Sequence, residues 1–340
     1  MRILFAGTPA IALPSLQVLA GPCLGDGAPC SGRPAWEAAG LLTNPDRVRR
    51  RGGKAESSEA AACAERLSAA LAEKGLPPIP VLKPETLKSE AREAAAALRP
   101  DLLVCFAYGR IFGPRFLSIF PLGGINIHPS LLPKYRGASP IQEAILNRDT
   151  LTGITLQRIA REMDSGNILA QKELPLSGRE TTASLSALAA EEGAALLGEF
   201  LRRLTASADS GAVLEGRPQE GEASYCSLID RDSARIDWSQ SAVEIDARIR
   251  AYNPWPLART GCGDRTLYIL EAAPLDAGPR RGGESGRVLG IDKKYGILVA
   301  TGGGILALTK LQYQAKKALP WQAFLNGARD FIGSCLSGGF

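Results

Sequence analysis

Asp101-Leu102-Leu103-Val104-Cys105-Phe106-Ala107 reads as a continuous apolar run, the mark of a strand buried on both faces of a parallel sheet. Gly124-Ile125-Asn126-Ile127-His128 reads as a second strand of the same kind. Working outward, residues 2–6 form a short apolar run that ends at Gly7-Thr8-Pro9, and residues 38–43 form another that ends at Asn44-Pro45-Asp46. Helical stretches are expected over 57–73 and over 85–98, the latter stopped by Pro100. This βαβ alternation predicts an α/β fold, Rossmann-like and doubly wound. Residues 152–160 alternate like an exposed-edge or antiparallel strand, with 167–176 as its partner, and a helix over 181–204 closes the domain at residue 205. Residues 206–224 are small, polar and turn-rich and read as a linker. Over 225–335 a short helix near 242–252 precedes several short strands, starting at Leu267, Arg287, Gly296 and Ile305 and separated by Gly-rich turns. That pattern predicts a small β-barrel.

Size and composition agree with two domains. The chain has 340 residues, with 45% hydrophobic and 22% charged residues, which places it in the soluble globular class. No apolar run reaches the roughly 18 residues of a membrane span. Ile11 to Cys23 is apolar enough to resemble a secretion signal, but its only positive flank is Arg2, and Gly7-Thr8-Pro9 and Pro14 interrupt it. A strand, a turn and a helix fit it better. The seven cysteines include no C-x-x-C pair and are odd in number, so reduced thiols and no metal are expected. Charge is unevenly placed: residues 247–340 hold 13 Lys/Arg against 6 Asp/Glu, and the remainder 27 against 29. A basic C-terminal segment suits an anionic partner, or a solvated surface.

The first βα turn, Gly7-Thr8-Pro9, is not G-x-G-x-x-G, and no G-x-x-x-x-G-K-[ST] loop is present. Dehydrogenase and ATPase readings therefore lose their phosphate cradles. His128 is the only histidine in the chain. Side chains alternate along a strand, so Asn126 and His128 point to one face, at the strand end where α/β sheets place ligands. A carboxamide N–H and an imidazolium N–H converging there suit the oxyanion formed when an amine attacks a carbonyl. The alternative is a structural histidine hydrogen-bonded at a strand end. Asp164, in Met163-Asp164-Ser165-Gly166, is either a turn residue or a carboxylate that approaches His128, favours its charged form and relays a proton through a water. Arg47, Arg49, Arg50, Arg51 and Lys54 cluster around Gly52-Gly53 just after a strand, as a phosphate-gripping loop or an exposed polar one.

Asn126-Ile127-His128-Pro129-Ser130-Leu131-Leu132-Pro133, followed by Arg136-Gly137 and Pro140, resembles the signature of the 10-formyltetrahydrofolate-dependent formyltransferases. Asp164-Ser165-Gly166 resembles that family's downstream aspartate. Phe5-Ala6-Gly7-Thr8-Pro9, Asn44-Pro45-Asp46-Arg47 and Ala107-Tyr108-Gly109 are similar to its methionyl-tRNA branch, and so are residues 235–239 and 249–256. The likeness runs from about residue 2 to 330. It implies a catalytic, folate-binding domain over 1–205, a linker over 206–224 and an OB-like tRNA-binding barrel over 225–335. It also implies that Asn126 and a protonated His128 stabilise the oxyanion and that Asp164 keeps the ring charged and moves the amine's proton. Ser130, Leu131, Leu132 and Pro133 would line the folate pocket through backbone and apolar contacts. Arg47, Arg49, Arg50, Arg51 and Lys54 would contact tRNA, with Arg51 the best match by position. The implied donor is 10-formyltetrahydrofolate and the implied acceptor is methionyl-initiator tRNA, in a cytoplasmic monomer with no membrane partner and no metal.

The chain departs from the family pattern in two places. Residues 21–36 make a longer connection than expected, and Arg49-Arg50 stand where Ala-Gly-like residues are usual. Asn253-Pro254-Trp255-Pro256 carries no catalytic group and reads as a rigid apolar joint. Three other readings compete: a formyltransferase acting on a small amine, which would lack the basic loop and the barrel, a deformylating hydrolase of the same fold, which would pass formyl to water, and a non-catalytic RNA-binding protein, which would have no need of Asn126, His128 and Asp164.

Overall fold

The computed structural model describes residues 1–24, 35–48, 53, 55–206, 215–275 and 284–337. Arg49, Arg50, Arg51 and Lys54, most of the 21–36 connection and residues 207–214 lie outside them. The chain divides into two compact units. The first comprises Met1–Pro140, Leu151–Pro175 and Ser186–Cys226; the second comprises Ile141–Thr150, Leu176–Leu185 and Ser227–Phe340.

In chain order the elements up to residue 226 are β1 (Arg2–Gly7), α1 (Leu13–Leu24), β2 (Glu37–Leu42), β3 (Arg47–Val48), β4 (Ala55–Glu56), α2 (Glu59–Glu73), β5 (Val81–Leu82) and α3 (Ser89–Ala97). They continue with β6 (Leu102–Phe106), α4 (Pro114–Leu117), β7 (Gly124–His128), β8 (Arg136–Gly137), α5 (Pro140–Leu146), β9 (Leu151–Arg158), β10 (Ile168–Pro175), α6 (Thr182–Ala206) and β11 (Tyr225–Cys226). The main sheet has the order β10-β9-β7-β6-β1-β2-β5. Its last five members are parallel, and β9 and β10 extend it antiparallel.

Residues alternate between two covered faces, which is why β6 is buried at all of its positions. On one face Leu4, Ala6, Leu42 and Leu103 pack with Ala95 and a ladder of Tyr108, Phe112, Phe116 and Phe120. Successive rings of that ladder lie 5.5–5.8 Å apart. On the other face Gly193 of α6 lies against Phe106, Ile127 and Ile154, and Gly198 lies against Val18 of α1.

Two boundaries differ from the expected ones. The second helix starts at Glu59 because Ser58 caps it, its hydroxyl accepting the Ala61 N–H at 3.1 Å. The third starts at Ser89, not near 85, where the Pro84 and Glu85 carbonyls accept the Arg110 guanidinium at 2.9 and 2.7 Å. β9 is not an edge strand: β7 and β10 flank it, and six consecutive residues are buried.

The second unit contains α7 (Ala242–Ala251), β12 (Ala258–Cys262), β13 (Arg265–Leu275), β14 (Val288–Asp292), β15 (Gly296–Ala300), β16 (Ile305–Tyr313), β17 (Leu319–Pro320), α8 (Trp321–Asn326) and β18 (Leu336–Ser337). Its antiparallel sheet has the order β14-β15-β16-β13-β12-β18, with β17 on β16. The sheet curls until its ends meet: Val288 N donates to Ser334 O and Leu336 N to Gly286 O. Burial of Ile245, Ile249, Leu267, Ile269, Leu308 and Phe324 fills the enclosed space. A capping box of Ser241 and Glu244 starts α7. Within the 253–256 segment, Trp255 is 54% exposed.

Candidate active site

β1, β2 and β5 follow one another on one side of the main sheet, and the chain then returns to place β6 and β7 on the other. The carboxyl ends of β1 and β6 thus flank a switch point, where open α/β sheets hold ligands. Polar groups gather there. Asn44 donates its amide to the Thr8 hydroxyl at 3.1 Å and to the Tyr108 carbonyl at 3.0 Å, and accepts Arg110 Nε at 2.7 Å. Thr8 and Asn44 entered the sequence reading as turn residues and as family likeness, and Tyr108 as family likeness alone; the structure ties the three into one network. Burial pushes the Tyr108 phenol up to about 12.

One strand further, Asn126 and His128 of β7 share a face. β9 runs antiparallel beside them, with Gln157 opposite Asn126 and Thr155 opposite His128. The turn leaving β9 brings Asp164 back over this face. Asp164 has φ +53, a left-handed backbone that aspartate tolerates better than most residues. Two residues on, a Cβ on Gly166 would stand 1.8 Å from the Arg158 carbonyl oxygen, so only glycine passes there.

The Asp164 carboxylate is held by three N–H donors. Oδ1 accepts Gln157 Nε2 at 2.7 Å and Asn126 Nδ2 at 3.2 Å, and Oδ2 accepts the Gly137 backbone N–H at 2.9 Å. Oδ2 also lies 3.6 Å from His128 Nδ1, close enough for strong electrostatic coupling but beyond hydrogen-bond length. Gly137 has φ +123, and a Cβ there would sit 2.1 Å from the Cys226 carbonyl oxygen.

His128 is 4% exposed. Its Nε2 lies 2.9 Å from the Tyr135 carbonyl, which can only accept, so Nε2 carries the hydrogen and Nδ1 faces Asp164. Burial pushes the imidazole below its usual 6.5, outweighing the upward pull of Asp164 and of the Tyr135 hydrogen bond. Burial thus favours the neutral ring in the resting site. Cys105, cross-strand from Asn126, is pushed by burial up to about 12 and remains a neutral, unreactive thiol.

The 130–133 loop is a scaffold beneath His128. The Thr155 hydroxyl donates to Ser130 O at 2.7 Å and accepts Leu132 N at 3.2 Å, while Gln171 donates to Leu132 O at 2.9 Å. Ser130 and Leu132 are buried; Leu131 and Pro133 keep part of their surface. Arg47 is exposed on the two-strand ribbon β3–β4. The rest of the basic cluster lies outside the described residues.

The structure thus brings together Asn126, His128 and Asp164 and adds Gln157, Tyr135 and Gln219, which the sequence did not single out, and Gly137, which entered only within the family signature. Gln219 donates to the Asp164 and Gly166 carbonyls, both at 2.8 Å, from a stretch expected to be a linker. Among the described residues no His/Cys/Asp/Glu group could hold a metal ion.

Comparison with known proteins gives consistent matches. The Formyl transferase family matches residues 31–201, and the Formyl transferase, C-terminal domain, family matches 228–329. A methionyl-tRNA formyltransferase of Treponema denticola is 44% identical over 345 residues, covering 100% of this chain and 99% of that protein. The structure of HypX from Aquifex aeolicus in complex with tetrahydrofolic acid aligns with a TM-score of 0.61 at 18% identity, covering 98% of this chain and 48% of that one. An N-formyltransferase from Helicobacter canadensis, in complex with folinic acid and dTDP-3-aminofucose, gives 0.59 at 20% identity, covering 91% and 99%. At these identities the two structures speak to the fold.

Proposed function

The chain belongs to the methionyl-tRNA formyltransferase family, and from that premise we propose that it transfers the formyl group of 10-formyltetrahydrofolate to the amino group of methionyl-initiator tRNA. The observation that carries the reading is the convergence of Asn126, His128 and Asp164 at the carboxyl end of β7, in a chain matched over its full length by such enzymes.

In this reaction the amine nitrogen bonds to the formyl carbon and the bond from that carbon to the folate nitrogen breaks. One proton leaves the amine, and one reaches the departing nitrogen. Asn126 spends one amide hydrogen on Asp164 and directs the other at the formyl oxygen as negative charge gathers there. His128 enters as a neutral ring with Nδ1 free to accept a proton. The amine's proton passes through a water to the His128–Asp164 pair, and the imidazolium so formed sits beside the oxyanion with Asp164 as its counter-charge. The same pair returns a proton to the leaving nitrogen. Of the four loop residues assigned to folate, Leu131 and Pro133 make contact through their open surface, and Ser130 and Leu132 act through the shape of the loop.

The domain assignment follows the same division of labour. Residues 1–205 carry transfer and folate binding, and residues 225–335 track the tRNA backbone with their surplus of positive charge. Arg47, Arg49, Arg50, Arg51 and Lys54 grip the acceptor end. A cytoplasmic monomer is part of this reading, as the family likeness implied. No helix among the described residues is long and apolar enough to cross a membrane.

Incubating the purified chain with formyl-labelled donor and methionyl-tRNA tests the reading. Label is expected on the methionine nitrogen with the wild type and is largely lost with Asn126→Ala. Equal transfer by the variant removes the site from the mechanism, and no transfer by the wild type removes the reaction.

A further inference from the structure

Residues 215–226 lie across the back of the catalytic cluster. Arg217 and Ile168 exchange backbone hydrogen bonds at 2.9 and 2.8 Å, the Ser224 hydroxyl accepts Tyr135 N at 2.9 Å, and β11 pairs in parallel with β8. Gln219 stands in the middle of this stretch with its carboxamide fully used. Both of its N–H groups donate to carbonyls of the Asp164 turn, Asp164 O and Gly166 O, each at 2.8 Å. Its Oε1 accepts Arg136 Nη2 at 2.7 Å and Nε at 3.1 Å.

Two parts of the site meet in this one side chain. The Asp164 turn supplies the carboxylate. The 135–137 segment supplies the Tyr135 carbonyl that orients His128 and the Gly137 N–H that holds Asp164. The turn is strained at Asp164, with φ +53, so its conformation depends on anchors outside itself.

We propose that Gln219 is a positioning residue for formyl transfer, locking the Asp164 turn to the 135–137 segment so that the carboxylate keeps facing His128. The proposal rests on the reading of Asn126, His128 and Asp164 given above. A carboxamide is the side chain the geometry requires. Glutamate would set an oxygen against two carbonyl oxygens, and methionine, of similar length, would leave both carbonyls and the Arg136 guanidinium without their partner.

The test uses Gln219→Glu and Gln219→Met in the full chain, measuring kcat, KM for both substrates, melting temperature and the imidazole NMR resonances. With one histidine in the chain, those resonances report His128 alone. The expected result is a kcat lowered about 10- to 100-fold in both variants, because small misplacements of reacting groups are that costly, with each KM within about threefold. Melting stays within about 4 °C, and the His128 resonances move as Asp164 shifts away. The proposal is overturned by kcat within about threefold of wild type in both variants, or by a loss of kcat that tracks melting while the resonances stay fixed. A wild type that transfers no formyl group refutes the functional reading instead. The resonances then decide Gln219 on their own: a shift upholds its hold on Asp164, and no shift overturns it.

Discussion

Replacing Asp164 by asparagine isolates the charge at the centre of the site. The side chain keeps its size, and the oxygen that faces Gln157 and Asn126 can be kept in place. What is lost is the counter-charge 3.6 Å from His128 Nδ1, between side chains that are 5% and 11% exposed. At that distance, with an effective dielectric of about 20, the attraction to an imidazolium is about 4–5 kcal/mol. Because this attraction exists only once the ring is protonated during transfer, its loss falls on the barrier, and about 1.4 kcal/mol per tenfold converts it to roughly a thousandfold in kcat. The new amide nitrogen either opposes the Gly137 N–H or displaces the Gln157 and Asn126 donors, which adds to the effect. Single-turnover formyl transfer with saturating donor and methionyl-tRNA measures the step directly. The His128 pKa, read by NMR, should fall further, since the upward pull of Asp164 is gone. A kcat within about tenfold of wild type, or a His128 pKa that rises, refutes the assigned role of the pair.

Other outcomes follow from the same geometry. Asn126→Ala should lower kcat by roughly 100-fold or more through loss of one oxyanion donor; a change under about threefold excludes it from the mechanism. His128 has a folded-state pKa below its unfolded 6.5, so its contribution to stability is complete above that pH and is lost as pH falls through 6.5 toward the folded value. Urea unfolding from pH ~7.5 down to ~5.5 should show that loss in the wild type and a flatter profile in His128→Gln; identical slopes contradict the burial argument. Arg51→Ala should weaken use of tRNA and leave folate binding unchanged, and a fall in folate affinity would show that the basic loop is misassigned.

The sheet was legible in the sequence where burial leaves a continuous apolar run. Residues 101–107 give β6 nearly to the residue because a strand covered on both faces has no polar positions to blur its ends, and 124–128 match β7, where apolar Ile125 and Ile127 alternate with polar Asn126 and His128. The common face of Asn126 and His128 followed from strand periodicity alone. Gln157 was out of reach because its place opposite Asn126 depends on the reversal before β9, which local pattern does not encode. Gln219 was hidden for another reason. Small polar residues suit a solvated linker and a segment docked through its carboxamide equally well, and only the partners at Asp164, Gly166 and Arg136 distinguish them. That burial outweighs the pull of Asp164 on the His128 ring was not legible either, because this burial arises only once β9 and the 130–135 loop are packed around it.

The most direct test of the account is formyl transfer from 10-formyltetrahydrofolate with four acceptors in parallel: methionyl-initiator tRNA, methionyl-elongator tRNA, free methionine and glycinamide ribonucleotide. The account predicts rapid labelling of the initiator tRNA and little labelling of the others. Labelling of a small amine in preference to the initiator tRNA would contradict it.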